Sequence, residues 1–171
     1  MPVEFSAIAI LTGLAKDELL VTRRTLERRM QEQSDTVEPG DILCLHTGFA
    51  QMLLDMKRDP DPDVLDAHCA RLDGRDDTLL RWIADSWIAA LVADNYAVEA
   101  LPARRGTGRH AAMPIHEHCL FKLGLPLGEM WYLTELARWL RAQGRSRFFL
   151  TAPPLRLPGA VGSPVAPIPA V

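Results

Sequence analysis

Four short, predominantly apolar segments constrain the fold of this chain more than any other feature. Strands buried on both faces of a sheet have this pattern, whereas half-exposed strands alternate apolar and polar residues. Amphipathic helical stretches separate the segments. The sequence therefore predicts an α/β fold with a mixed, largely buried sheet flanked by helices. The segments are residues 3–11, 42–46, 88–93 and 148–151, the last being expected as the last buried strand.

Polar caps and apolar stripes predict three helices between these strands. Thr22 is expected to cap the first helix, and either Asp77 or Thr78 to cap the second. Gly144 is expected to stop the third, because glycine commonly follows a helix C-terminus. The helices are expected over residues 23–33, from the second cap to about residue 86, and over residues 133–140.

Three segments are predicted to lie outside this regular structure. Residues 56–74 are rich in Asp, Pro and Arg, which is typical of an exposed excursion, with one or two helical turns around residues 64–70. Residues 101–112 carry glycines and arginines and are expected to form a mobile loop. The tail, residues 152–167, is rich in Pro and Gly but apolar, so we expect an ordered strap around a pocket rather than a disordered linker.

Composition and charge exclude two classes of partner. The chain has 171 residues, 48% of them hydrophobic and 24% charged, which suits a single globular domain over residues 1–171. A net charge of −3 with dispersed arginines provides no basic surface for nucleic acid. No apolar run approaches the roughly 18–20 residues that cross a bilayer, and no signal-peptide pattern is present. We therefore predict a cytoplasmic protein without nucleic-acid or membrane partners.

The three cysteines, Cys44, Cys69 and Cys119, are widely spaced and lie in apolar contexts. This arrangement is typical of reduced, packed thiols and not of a disulfide framework or a zinc knuckle. We predict that none of them is a nucleophile.

Imidazoles, a carboxylate and a helix-to-strand turn come together within residues 114–129. Ile115, Cys119, Leu120 and Leu123 recur at helical spacing, and a glycine and a proline then end the helix.

His116 and His118 lie two positions apart on this helix, about 200° around its axis, so only one of them can share a pocket with Glu129. The alternative interpretation is a surface histidine and a solvated glutamate without a function.

Polar groups also follow two of the predicted strands. His46 closes the segment that starts at residue 42, and Asp94 and Asn95 follow residues 88–93. Ligands commonly bind beyond the carboxyl ends of strands in open sheets. A structural or surface role for His46 remains the alternative.

Four blocks of sequence together resemble the cyclase family of metal-dependent hydrolases, which includes kynurenine formamidase and isatin hydrolase. They occur in the order and with the gaps seen in that family. The resemblance extends from about residue 18 to the end of the chain. The blocks are PGDILCLHTGF (39–49), ADNYAVEALP (93–102), IHEHCLFKLGLPLGE (115–129) and APPLRLPGAVGSP (152–164).

The resemblance implies a swivelling β/β/α fold and hydrolysis of a C–N bond in a formamide or cyclic amide by metal-activated water. His116 and Glu129 match a histidine and an acidic residue near the divalent metal, Zn or Mn, and would be ligands or acid–base groups. Asp94 and Asn95 would be orienting groups, and His118 has no counterpart. N-formylkynurenine, an intermediate of tryptophan catabolism, is one substrate the resemblance suggests.

The chain departs from the family pattern upstream. Family members carry a His- and Asp-containing signature that supplies most metal ligands, and residues 1–36 contain no histidine. His116 and Glu129 are therefore a partial ligand set. The chain looks like the C-terminal portion of a longer enzyme: it is truncated, it comes from a degraded gene, or it is completed by another subunit, with truncation favoured.

Two further expectations follow from this departure. The rival to an impaired amide hydrolase is a non-catalytic remnant that acts as an interaction or oligomerisation module. A homo-oligomer is expected because residues 3–11 would leave an open strand edge.

A nucleotide-binding α/β domain is not favoured, since residues 12–14 lack the glycine loop that should follow the first strand.

Overall fold

The computed structural model describes residues 6–10, 19–108 and 110–171, with only the backbone described for residues 6–10. The strands are β1 Ser6–Ile10, β2 Leu20–Val21, β3 Ile42–Leu45, β4 Arg71–Leu72, β5 Ala90–Ala93, β6 Leu127–Gly128, β7 Arg147–Thr151 and β8 Ile168–Ala170. The helices are α1 Arg23–Gln33, α2 Phe49–Asp55, α3 Pro62–His68, α4 Asp77–Ser86, α5 Pro114–His116, a π-helix over Glu117–Leu123, and α6 Thr134–Ala142.

Six of the strands form one mixed sheet in the order β6-β5-β3-β1-β7-β8. Strands β6, β5, β3 and β1 run parallel, and β7 and β8 join antiparallel at the other side. The predicted mixed α/β sheet is confirmed. The expected open edge is wrong, because β1 pairs with β3 on one side and with β7 on the other. Residues 3–5 and 11 of that predicted segment lie outside the described residues.

The sheet separates two hydrophobic clusters because successive side chains of a strand point to opposite faces. On one face, Leu43 and Leu91 pack with Leu79 of α4. On the other face, Val92 packs with Leu140 of α6. Burying such side chains stabilises the fold by about 1.5–3 kcal/mol each. The apolar runs at β3 and β5 are thus strands covered on both faces, as predicted, whereas β7 is covered on one face only, since Phe149 is 51% exposed.

Two helix starts are fixed by polar caps. Thr22 accepts a hydrogen bond from the amide of Thr25 at 3.4 Å, which confirms the predicted cap of α1. The cap predicted for α4 is wrong by one or two positions: Asp76 is the N-cap and accepts from the amide of Thr78 at 2.9 Å. Asp77 and Thr78 already have helical backbone, so neither can fill the extended cap position.

The predicted exposed excursion over residues 56–74 is only partly correct. Helix α3 carries no buried residue, as expected. After it, however, Cys69, Ala70 and Leu72 are buried, because β4 pairs in parallel with β2 and packs on the core. The first part of this segment is acidic and rich in proline, so its composition gives no indication of the short strand β4.

Residues 148–151 lie in β7, the last strand with buried residues, as predicted, and an exposed strand that was not predicted, β8, pairs antiparallel with it. Between these strands the tail folds back on itself, with Pro154 bridging Val165 and the amide of Leu155 donating to the Ser163 hydroxyl at 2.9 Å. The tail borders a groove of about 1260 Å³, as the strap hypothesis predicted, although most of its residues are exposed.

The three cysteines are free and fully buried. Desolvation by burial raises the pKa of the Cys44 and Cys119 thiols to about 12 each, and that of Cys69 to about 11. Since the thiolate is the reactive form, these groups are inert at neutral pH. Within the described ranges, no helix combines the length and apolar character that a membrane span requires.

Candidate functional site

His116 and Glu129 lie side by side. The Nε2 atom of His116 is 2.9 Å from the Oε1 atom of Glu129. The two side chains keep 23% and 36% of their surface exposed, so solutes can reach the pair. The proximity expected from the sequence is therefore confirmed, and of the two histidines on this segment it is His116 that faces Glu129.

The elements around residues 114–129 hold this pair in place. Pro114 occupies the first turn of α5, where its missing N–H is not needed. Gly124 ends the π-helix with a left-handed φ of 65°, a conformation that glycine adopts without steric cost. The chain then enters β6, the edge strand next to β5, and Glu129 follows it directly.

The π-helix changes which apolar residues face the core. Ile115 and Cys119 are fully buried, as the helical spacing predicts. Leu120 and Leu123 are 50% and 42% exposed instead, because the wider i→i+5 turns shift the later residues out of the α-helical register. Single π-helical turns are frequent at functional sites.

Glu99 is a site residue that the sequence analysis missed. It is fully buried, and its Oε1 atom lies 2.9 Å from the Nδ1 atom of His116. The same carboxylate accepts from the backbone amides of Ile115 and His116, each at 2.9 Å. Glu99 thus holds both the start of α5 and the imidazole ring. No local pattern in the sequence indicates these contacts, because Glu99 lies 16 positions before Ile115 and 17 positions before His116.

The backbone around Glu99 is unusual. Ala97 and Val98, which precede it, have left-handed φ values of 64° and 57°. A β-branched residue rarely adopts this conformation, and such strain is held only where the surrounding structure imposes it. On the other side, Gly74 leaves no room for a Cβ, which would collide with the Glu99 carboxylate and lie 3.2 Å from Pro114.

The loop over residues 101–112 is tied to the turn that precedes α4. Both the Nε and one terminal nitrogen of Arg104 donate to the buried carboxylate of Asp73, at 2.8 and 2.6 Å. Arg75 donates to the carbonyls of Arg104 and Ala111, so both ends of the loop are anchored. The mobility expected for this loop stays a prediction.

Asp94 and Asn95, the expected orienting groups, are buried beside the strand ends. Asp94 accepts from the amide and hydroxyl of Thr47 and from the amide of Gly48, at 2.7–2.8 Å. Asn95 donates its side-chain amide to the carbonyl of Ala70 at 2.7 Å. Within the described part of the chain, neither side chain hydrogen-bonds to the His116 pair. Their orienting role stays a prediction.

His46 lies in the core beside Asp94. Its Nε2 atom is 3.3 Å from the Thr134 hydroxyl and 3.9 Å from Asp94, while its Nδ1 atom is buried without a hydrogen-bond partner among the described residues. Desolvation by burial lowers the pKa of His46, aided by Arg141 and opposed by Asp94. A neutral, buried imidazole fits the structural role left open for it.

His118 takes no part in the hydrogen bonds described for this site. Its Nε2 atom is buried and makes no hydrogen bond to the residues that the structure describes. The expectation that the two histidines point to different sides of their helix stays a prediction.

Comparison with known proteins defines the fold. No protein-family model matches the chain, and no curated protein matches it significantly. A solved structure described as a novel cyclase is 32% identical, with a TM-score of 0.73 and a match that covers 96% of this chain and 52% of that one. The chain has a cyclase-family fold. This confirms the resemblance and the fold class expected from the sequence.

Two further solved structures share the cyclase fold. One is a potential metal-dependent hydrolase with cyclase activity, 17% identical with a TM-score of 0.61, covering 97% of this chain and 65% of that one. The other, isatin hydrolase A from Ralstonia solanacearum, is 18% identical with a TM-score of 0.62, covering 98% and 60% respectively. This chain thus spans between half and two-thirds of the length of the three solved structures.

One of these neighbours is described as a potential metal-dependent hydrolase. His116 and Glu129 are donor types that bind Zn, but a site needs three or four ligands. Across residues 6–10, 19–108 and 110–171, no group of three or more His, Cys, Asp or Glu residues could hold a metal ion. Both ring nitrogens of His116 are also engaged by carboxylates. The described residues alone therefore do not fit a metal centre.

Proposed function

We propose that this chain carries the acid–base pair of a hydrolase that cleaves the C–N bond of a formamide or a cyclic amide. The observation that carries the proposal is the contact between His116 and Glu129 at a solvent-accessible position. The cyclase fold supports it, because isatin hydrolase, a structural neighbour, is named for a cyclic amide.

Amide hydrolysis requires two proton transfers that such a pair can perform. Water loses a proton as its oxygen bonds to the carbonyl carbon, and the nitrogen gains a proton as the C–N bond breaks. In the proposed reaction His116 and Glu129 accept the first proton and return it to the leaving nitrogen. Positioned acid–base groups of this kind accelerate reactions by about 10²–10⁴-fold.

Zn or Mn is the proposed cofactor, with its remaining ligands supplied from outside the described residues. Bound there, such an ion would supply Lewis-acid chemistry that lowers the pKa of water. The described residues offer it only His116 and Glu129, so the proton transfers above are assigned to these two side chains. An impaired activity of the isolated chain, as predicted from the sequence, follows from the same shortage of ligands.

The groove beside the pair favours an aromatic substrate. Glu129 lies in its wall together with Trp131, Tyr132 and Phe149. Aromatic side chains bind planar rings through stacking and edge contacts. An aromatic amide such as N-formylkynurenine is therefore the proposed substrate class. A cytoplasmic location and a place in tryptophan catabolism stay predictions from the sequence.

The alternative proposal is a non-catalytic interaction or oligomerisation module. It is favoured by exposed apolar side chains at the surface, among them Phe121 and Trp87, which are 88% and 76% exposed. Exposed apolar residues that are contiguous mark association sites. Self-association into a homo-oligomer stays a prediction, although β1, the strand whose open edge motivated it, has a neighbouring strand on both sides.

A metal and activity assay separates the two proposals. Purified chain is analysed for bound metal by mass spectrometry and then assayed with N-formylkynurenine and with isatin, with and without added Zn or Mn. We expect metal-stimulated hydrolysis that is lost in His116→Gln and Glu129→Gln. The matched controls are His68→Gln and Glu117→Gln, which change exposed residues of the same types. A protein that stays metal-free and inert supports the non-catalytic module.

A further inference from the structure

Glu99 is placed where a side chain can control the chemistry of His116 without touching a substrate. It is fully buried, whereas His116 and Glu129 are both partly exposed. A buried carboxylate is expensive to desolvate unless its oxygens are hydrogen-bonded. The described partners of the carboxylate are two backbone amides, which donate to it, and the Nδ1 atom of His116 at 2.9 Å.

We propose that Glu99 is a positioning residue that fixes the ring orientation and the tautomer of His116. An ionised carboxylate only accepts hydrogen bonds, so Nδ1 must carry a proton to bond with Glu99. The contact of 2.9 Å between Nε2 and Glu129 then needs one proton, which lies on the carboxyl group when the ring is neutral and on Nε2 when the ring is charged. That proton is the one available for transfer.

The backbone anchors make this arrangement rigid. The carboxylate binds the amides of Ile115 and His116, so the ring and the helix that carries it are held by one group. A rotation of the ring about χ1 or χ2 would break the Nδ1 contact and leave a buried oxygen with fewer donors. Partners of this kind set the tautomer of functional histidines in proteins.

Two features on either side of Glu99 support a specific position for its carboxylate. Ala97 and Val98, which precede Glu99, have a left-handed backbone that is strained for residues with a Cβ atom. Such strain persists only where the surrounding structure imposes it, here next to the inward-pointing Glu99. Gly74 packs against the carboxylate with no space for a methyl group. An N-cap role alone would not require this close fit, because short polar residues cap helices well from an ordinary extended backbone.

The inference rests on the contacts of His116 and not on the proposed reaction, so an NMR measurement tests it without any substrate. Long-range ¹H–¹⁵N spectra of the full chain are recorded as the pH is raised until the ring of His116 is neutral. We expect the Nδ1–H tautomer in the wild-type protein. A neutral ring that carries its proton on Nε2 overturns the proposal, whether or not the chain is an enzyme.

The variant Glu99→Gln tests the origin of the tautomer. The amide group of glutamine cannot accept from all three donors, so we expect the Nδ1–H signal to be replaced by a mixture of tautomers. The control is Asp41→Asn, which changes a buried carboxylate that pairs with Arg147 and not with His116. An unchanged tautomer in a folded Glu99→Gln protein, or the same change in the control, overturns the proposal.

Gly74→Ala provides a second route that keeps every hydrogen-bonding group and therefore remains informative if Glu99→Gln does not fold. The added methyl displaces the Glu99 carboxylate, and we expect the same tautomer mixture. A folded Gly74→Ala protein with the wild-type tautomer counts against the proposal. Where hydrolysis is measurable, Glu99→Gln should lower kcat by about 10–100-fold, the range for outer-sphere partners of histidine, with KM unchanged.

Discussion

The carboxylate of Asp76 joins the starts of two helices: its Oδ2 atom accepts from the amide of Arg23 at 2.7 Å, while its Oδ1 atom accepts from the amide of Thr78 at 2.9 Å. Helices α1 and α4 both pack on the same hydrophobic cluster. One side chain thus satisfies amides that would otherwise be unpaired at two helix N-termini.

We expect Asp76→Ala to lower the free energy of unfolding by about 1–2 kcal/mol, because the cap of α4 and the bond to Arg23 are both lost. Asp77→Ala is the matched control, since Asp77 is exposed and lies inside the helix. It should change stability by less than about 0.5 kcal/mol. Urea titrations followed by circular dichroism measure both. Equal effects of the two substitutions would place the cap at the position first predicted.

The same residue predicts a dependence of stability on pH. Desolvation by burial raises the pKa of Asp76, but hydrogen bonds from Thr78, Arg23 and Leu79 outweigh it, so the pKa is lower than in the unfolded chain. The carboxylate therefore stabilises the fold above its ordinary pKa, and this contribution is lost as the pH falls through the lowered value. The stability difference between wild type and Asp76→Asn should shrink on acidification. A difference that stays constant with pH contradicts this.

His46 predicts a second pH dependence. Its folded-state pKa is lowered, chiefly by burial, so the folded protein binds fewer protons than the unfolded chain below the ordinary value near 6.5. Stability is fully present above that value and declines as the pH falls toward the lowered one. In His46→Gln this part of the decline should disappear, as measured by thermal unfolding over a pH series. An identical slope in both proteins would show that His46 does not contribute.

The buried thiols predict slow chemical modification. With pKa values of about 12, 11 and 12 for Cys44, Cys69 and Cys119, almost no thiolate forms near neutral pH. We expect a thiol reagent such as Ellman's reagent to leave the folded chain unmodified and to react with all three cysteines after denaturation. Rapid reaction of any one of them in the folded protein would contradict the packing described for it.

Much of the fold follows from local sequence patterns. Strands β3 and β5 were predictable because apolar runs without alternation fit only strands covered on both faces. Strand β8 was missed, since Ile168, Pro169 and Ala170 lack a strand pattern and are exposed. The exposure of Leu120 was missed for a different reason, because its periodicity assumes an α-helix and the chain forms a π-helix there.

The candidate site was predictable only in part. The helix, the glycine stop and the short strand leave sequence signals, but His116, and not His118, was paired with Glu129 through the resemblance to the cyclase family. Glu99 could not be paired with His116, because the two residues are 17 positions apart and the left-handed backbone at Val98 leads into Glu99. Nothing in a valine indicates that conformation.

The most direct test of the central claim is the rate of amide hydrolysis in a double-mutant cycle at His116 and Glu129, with Zn or Mn supplied. If the two residues act as one acid–base unit, each single Gln substitution should lower kcat/KM by about 10²-fold or more, and the double substitution should lower it no further. An inert wild-type protein, or two losses that multiply in the double variant, would contradict the account.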